Sequence, residues 1–301
     1  MNNTYKQGMM SAIGCAMVWG FMPLYWKTLQ PIESSVIIFY RIVLVALVCF
    51  LMALKVHGWN EIKTTFNQKG VKGRYFIAGL LITMNWSIYI WAVNANYVIQ
   101  TCIGYYIEPL IVCLLSVILF KEKLDKYKIL ALILATAGVL VVILHFKQLP
   151  AIALSLGISF AFYAAIKKNY SMPPLLSLLY ETIFLVPIAL GVIIYLELNG
   201  AGAMSVGGSK YLLLMLCGIF TATPLLLFAN AANKINFFAL GITEYISPTI
   251  SLLISIFIFK EPFDGIQLIA FGIIWIGLVF FSYGEYRLMK GKKVEGHGEL
   301  Q

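Results

Sequence analysis

The chain has 301 residues, 61% of them hydrophobic and only 12% charged, with a mean hydropathy of +0.88, whereas about a quarter of a soluble protein is charged. So few polar groups cannot cover the surface of soluble domains, which excludes a soluble enzyme and makes the bilayer the solvent. The net charge of +9 falls in no basic stretch interleaved with polar surface, so nucleic acid is not an expected partner.

The chain opens on Lys6 and an apolar run that continues through Trp26 with no small-residue cleavage site, the pattern of a retained first span. About 20 residues cross a 30 Å hydrocarbon core, and by that measure ten segments follow one another. They are Gly8 to Trp26, Ser35 to Leu54, Tyr75 to Val93, Val98 to Phe120 and Ile129 to Leu144, then Ala151 to Ile166, Pro173 to Tyr195, Tyr211 to Ala232, Ile235 to Phe259 and Ile266 to Tyr283. Their uninterrupted apolar character predicts helices, because membrane strands alternate apolar and polar residues. The fifth and sixth segments are short, and Lys128, Lys167 and Lys168 at their ends are expected to extend their charges to the headgroups.

Cationic residues orient the chain. Of the 22 Lys and Arg residues, seventeen lie on the side of the amino terminus, four in the opposite connections and one, Arg41, inside the second span. This predicts ten spans with both termini cytoplasmic. The longest connections, around His57 to Arg74 and Glu197 to Lys210, are too short for a soluble domain, so function is expected in the helix bundle.

The sequence also repeats itself. Tyr106-Ile107-Glu108-Pro109, continuing to Phe120-Lys121-Glu122 and Asp125, aligns without gaps on Tyr245-Ile246-Ser247-Pro248, continuing to Phe259-Lys260-Glu261 and Asp264. Ala131 falls on Ala270 and Gly138 on Gly277, and a weaker match places Tyr40-Arg41 on Tyr180-Glu181. Residues 1–147 and 148–286 then form two five-helix halves, with 287–301 a cytoplasmic tail. An odd number of spans per half requires the second copy to insert upside down, the plan of many secondary transporters. The fold expected is therefore all-α and integral to the membrane, ten helices in two inverted repeats. Small residues at four-residue spacing, Ala12, Ala16 and Gly20 in one leading helix and Gly157, Ala161 and Ala165 in the other, predict close helix packing.

Ionisable residues inside spans are expensive and mark paths by default; Arg41, Glu108, Glu181 and Glu244 are such residues. Arg41 and Glu181 hold equivalent places and are expected to pair across the repeat interface, fixing it or gating it. Glu108 and Glu244 sit one helical turn apart in the repeat frame, and each precedes a proline, Pro109 or Pro248, expected to kink its helix beside a cavity. Two acids on one pocket suit a cationic solute or proton exchange; the alternative is that each is hydrogen-bonded to a neighbour and only stiffens the core. Trp19, Asn85, Trp86, Tyr89, Tyr105, Tyr163 and Tyr245 suit the wall of a substrate cavity.

No catalytic constellation accompanies them. The three histidines lie in connections, neither H-E-x-x-H nor G-x-S-x-G occurs, and the five cysteines form no C-x-x-C pair. No enzyme activity, metal or cofactor is therefore expected.

Trp19-Gly20, Pro23 to Lys27, Arg41-Ile42, Asn85-Trp86, Ile90 to Asn94, Gly104-Tyr105, Pro109-Leu110, Thr223 to Ala229 and Pro248-Thr249 together resemble the RarD branch of the EamA transporters, in the drug/metabolite transporter superfamily. The resemblance implies an inner-membrane (plasma-membrane) carrier with a central cavity open alternately to each side. It also implies amides where this chain has Glu108 and Glu244, which points to a more basic solute or a different coupling to protons. The expectation is proton-coupled export of a small amphipathic metabolite or drug; import by the same fold, a channel and a membrane assembly protein are the alternatives. A small-molecule solute, a proton and the lipid bilayer are the expected partners, and the small-residue stripes suit a monomer and a homodimer equally.

Overall fold

The computed structural model describes residues 3–94, 98–146, 151–170, 172–260 and 264–298. Among them every regular element is helical: α1 (Asn3–Thr28), α2 (Ser34–Val56), α3 (Gly58–Phe66), α4 (Val71–Asn94), α5 (Val98–Ile118), α6 (Lys126–Phe146), α7 (Ala151–Asn169), α8 (Pro174–Ile183), α9 (Val186–Leu198), α10 (Gly208–Met215), α11 (Cys217–Ala232), α12 (Phe237–Glu244), α13 (Ile246–Phe257) and α14 (Gly265–Gly298).

Seven stretches are long and apolar enough to cross a membrane: α1, α2, α6, α7, α10 with α11, α12 with α13, and the first 20 residues of α14. Taken together as one span, α8 and α9, bent by 55° to each other, would make an eighth. Helices α4 and α5 stand where the third and fourth segments are expected, but over the described residues they fall short of the same measure. The described apolar part of α5 is Gly104–Ile118.

Three segments divide where a single rod is expected. The break between α8 and α9 precedes Pro187, whose missing N–H suits the first turn of a helix. Tyr245 separates α12 from α13, placing Pro248 in the first turn of α13, where the proline displaces no established helical hydrogen bond. Pro109, its repeat counterpart, lies inside the continuous α5. The connection after α2 folds into α3, which buries Ile62.

The repeated F-K-E…D motif has a structural explanation. Lys121 and Lys260 are the two described non-glycine residues with positive φ, at 51° and 57°, each ending a helix in the left-handed conformation. Asp125 Oδ1 accepts the backbone N–H groups of Tyr127 and Lys128 at the start of α6, and Asp264 Oδ1 accepts that of Gln267 at the start of α14. Both aspartates are helix caps. The Glu122 carboxylate accepts the N–H groups of Phe237 and Phe238, supplying partners to the open N-terminus of α12.

Packing between the halves is reciprocal. Helix α1 packs on α11 and α13 while α7 packs on α4 and α5; α2 packs on α11 while α8 packs on α4; and α6 packs on α14. A β-carbon at Gly138 would lie 2.8 Å from the Ala270 carbonyl oxygen, and one at Gly277 would lie 3.1 Å from that of Ala131. These crossed contacts require α6 and α14 to run antiparallel. Their ends agree: His145 Nε2 lies 2.8 Å from Asp264 Oδ2, and at the opposite end Arg287 donates to the Tyr127 hydroxyl. The leading helices behave likewise, Gly20 seating on Ser247 and Ile250, and Gly157 on Glu108 and Ile111. Small residues thus allow the backbone approach that binds helices in lipid.

Candidate functional site

Arg41 and Glu181 do not form the pair expected from the repeat. Glu181 is 1% exposed and forms an ion pair with Lys167, itself 3% exposed. Ser177 joins them, its hydroxyl accepting from Lys167 Nζ at 2.7 Å and donating to Glu181 Oε1 at 3.1 Å, while the Tyr163 hydroxyl donates to Oε2 at 3.2 Å. Lys167 therefore does not reach for the headgroups. The last turn of α7 carries it against α8, where it neutralises an acid that lipid cannot solvate.

Arg41 lies elsewhere. Tyr40, beside it near the start of α2, donates to Glu197 at the end of α9, whereas Tyr180, beside Glu181 near the end of α8 and ahead of α9, donates to Ile62 beyond the end of α2. Helix α2 thus runs antiparallel to α8 and α9, and the expected partners sit toward opposite ends of that packing. The Arg41 guanidinium stacks 3.7 Å from the centre of the Trp86 ring and 5.6 Å from that of Trp26. Tyr89 and Tyr105, whose rings are 5.6 Å apart, lie within its electrostatic reach. Among the described residues Arg41 has no acidic partner, and its buried Nε has no hydrogen bond.

Glu108 and Glu244 are both buried, at 6% and 4% exposure, and Glu108 lies within electrostatic reach of Glu244. The Glu244 Oε1 atom has no hydrogen-bond partner among the described residues. Helix α5, which carries Glu108, packs on α12, which carries Glu244, with Cys15 of α1 within electrostatic reach of both acids. Their sequence pattern, acids in apolar runs each followed by proline, is sufficient to find them.

The expected cavity residues divide among three places. Trp86, Tyr89 and Tyr105 gather around Arg41. Trp19 packs on Phe160 and Phe228, and Tyr163 stacks on Phe228 at 6.1 Å. Asn85 donates to the Leu156 carbonyl and the Ser159 hydroxyl, tying α4 to α7, and Tyr245 donates to the Tyr106 carbonyl, tying α13 to α5. Asn85, Tyr163 and Tyr245 thus direct their polar atoms to helix contacts. Two apolar clefts open at the side of the bundle: one of about 420 Å³ beside Met52, Leu175 and Leu226, and one of about 350 Å³ beside Met17, Phe21 and Phe220. Neither is lined by a buried charge. The side chains of Trp91 and Asn94, which belong to the motif of resemblance, lie outside the described residues.

Lys167 is not among the site residues expected from the sequence, because two adjacent lysines at a helix end look like headgroup anchors. Its signal is the spacing of Lys167, Ser177 and Glu181 across one short turn, which places three polar groups on facing helix ends.

The EamA-like transporter family profile matches this chain twice, over residues 6–144 and 150–283. The chain is 37% identical to the uncharacterized transporter YojE of Bacillus subtilis over 293 residues, covering 96% of this chain and 97% of that protein. It is 32% identical to the protein RarD of Escherichia coli K12, covering 92% and 94% of the two chains. A solved crystal structure superposes with a TM-score of 0.69 at 15% identity, covering 91% of this chain and 96% of that one, which supports the fold alone.

Proposed function

Because the chain belongs to the EamA-like transporter family, we propose that this multi-pass membrane protein is an alternating-access secondary transporter, exporting a small amphipathic metabolite or drug in exchange for protons. Its ten spans form two inverted halves in the cell inner membrane, with both termini cytoplasmic and no catalytic activity. The family profile's two matches and the crossed contacts of Gly138 and Gly277 support the inverted duplication.

The observation that carries the coupling is the proximity of Glu108 and Glu244, two buried acids with no cation bound to either among the described residues. Two buried carboxylates, one within electrostatic reach of the other, are costly to ionise together in an apolar bundle. A proton entering from one face and leaving at the other therefore changes the charge of the site with each turnover. Arg41 and the Lys167–Glu181 pair occupy opposite ends of the packing between α2 and the bent α8 and α9, where a rocking motion alternately tightens one end and loosens the other.

Uptake of a panel of amphipathic solutes, chloramphenicol among them, into proteoliposomes tests this reading under pH gradients of either sign. The gradient is expected to drive flux in the wild type, while Glu108→Gln or Glu244→Gln abolishes gradient-driven flux and retains solute counterflow. Equal gradient-driven flux in both variants removes the acids from the mechanism.

A further inference from the structure

We propose that Arg41 forms a binding subsite for the carboxylate of a small organic anion, which deepens the transporter reading and rests on it. A guanidinium inside a membrane protein is normally matched by an acid or by backbone carbonyls, yet no acid pairs with the partly buried Arg41 among the described residues. Glu197, whose carboxylate accepts from the neighbouring Tyr40, is already committed: it also takes the backbone N–H groups of Ala203 and Met204. Glu181 is neutralised by Lys167. The groups acting electrostatically on Arg41 are Tyr89, Tyr105 and Cys217, none of them an acidic carboxylate.

Trp86 covers one face of the guanidinium at stacking distance, 3.7 Å, and restrains its orientation. Stacking engages the π-face, and the buried edge Nε–H is left without an acceptor. That edge is a planar fork whose geometry matches a carboxylate held by two parallel hydrogen bonds. A carboxylate would supply the missing acceptor and counter-charge together. Trp26, 5.6 Å from the guanidinium, and the Tyr89–Tyr105 ring pair give a flat apolar body a surface to rest on. An ammonium group would meet like charge there.

The test is equilibrium binding of radiolabelled benzoate to the detergent-solubilised full chain, with benzamide and benzylamine as neutral and cationic competitors of the same shape. Benzoate is expected to bind at least about tenfold more tightly than either, the scale of losing one charge-assisted fork. Arg41→Gln removes that preference, and Arg41→Lys, which keeps charge without the fork, retains part of it. Absence of benzoate binding, equal affinity for benzamide, or unaltered benzoate binding by Arg41→Gln overturns the subsite. If Arg41→Gln loses its thermal unfolding transition, the wild-type charge series and Arg41→Lys decide the matter. Binding in micelles requires no flux, so a failed carrier reading appears separately: benzoate selectivity persists while no solute crosses the proteoliposome membrane.

Discussion

The Tyr245 hydroxyl donates to the backbone carbonyl of Tyr106 at 3.2 Å, joining two residues 139 positions apart that hold the same place in the two copies of the repeat. Tyr106 and Tyr245 each lie near the middle of their segment, α5 in one case and α12 with α13 in the other. In two copies related by inversion, equivalent residues meet only near the midplane, and those near helix ends are carried to opposite faces. Arg41 and Glu181 each stand seven residues into their helices, roughly 10 Å along, so the proposed inversion would separate the two equivalent residues.

This geometry fixes a topology experiment. Lys121 and Lys260 are both exposed and share one backbone conformation, so a cysteine at either site is accessible to reagent. In a variant whose five native cysteines are replaced, a membrane-impermeant maleimide applied to intact cells is expected to label Lys260→Cys alone. Lys121→Cys is expected to react only after lysis. Labelling of both from one side contradicts the inverted arrangement.

Removing one member of the Lys167–Glu181 pair leaves the other charged in a nearly dry site, with Ser177 and Tyr163 unable to neutralise it. Lys167→Met or Glu181→Leu is expected to cost about 3–5 kcal/mol each. The double variant is expected to recover much of that loss, because an apolar pair of similar volume needs no solvation. Unfolding in mixed detergent micelles, followed by helical circular dichroism, measures the cycle. Additive losses contradict a direct interaction.

How much of this was legible in the sequence depends on range. Segment positions, helical character and the repeat follow from apolar run length and from matches at Pro, Lys, Glu and Asp, which are local or directly comparable. The breaks at Tyr245 and between Ile183 and Val186 depend on how half-helices dock, and nothing local announces them. The exchange of Arg41 for Lys167 as the partner of Glu181 has the same origin: the alignment shows equivalence but not depth. Asn85 and Tyr163 read as wall residues by type, yet helices α7 and α8 supply partners that absorb their polar atoms.

Gly138 and Gly277 are equivalent in the repeat but are not equally crowded. A β-carbon at Gly138 would approach Ile274 Cγ1 to 2.6 Å and the Ala270 carbonyl to 2.8 Å, whereas at Gly277 the nearest atoms lie at 3.1 and 3.2 Å. Backbone is less able than a side-chain tip to give way. Gly138→Ala is therefore expected to destabilise by about 1–3 kcal/mol through overpacking, and Gly277→Ala by less. Thermal unfolding of the two single variants in one detergent gives the comparison, and an equal or reversed order contradicts the packing of α6 against α14.

Asp264 supplies a pH test outside the spans. The Gln267 backbone N–H, and after it the hydrogen bond to His145, hold its carboxyl below the usual carboxylate range. A carboxylate whose pKa is lower folded than unfolded stabilises the fold above its unfolded pKa, about 3.9, and that contribution is lost as pH falls through the folded value. Asp264→Asn keeps the cap oxygen but not the charge. It is expected to lower the unfolding midpoint at pH 7, and the difference from wild type is expected to shrink as pH drops below about 4, where the wild-type aspartate also becomes neutral. Asp264→Ala removes the cap oxygen as well, so its deficit is expected to persist at low pH. Thermal unfolding across that range, with all three proteins in the same detergent, separates charge from cap, and a deficit in Asp264→Asn independent of pH contradicts the assignment.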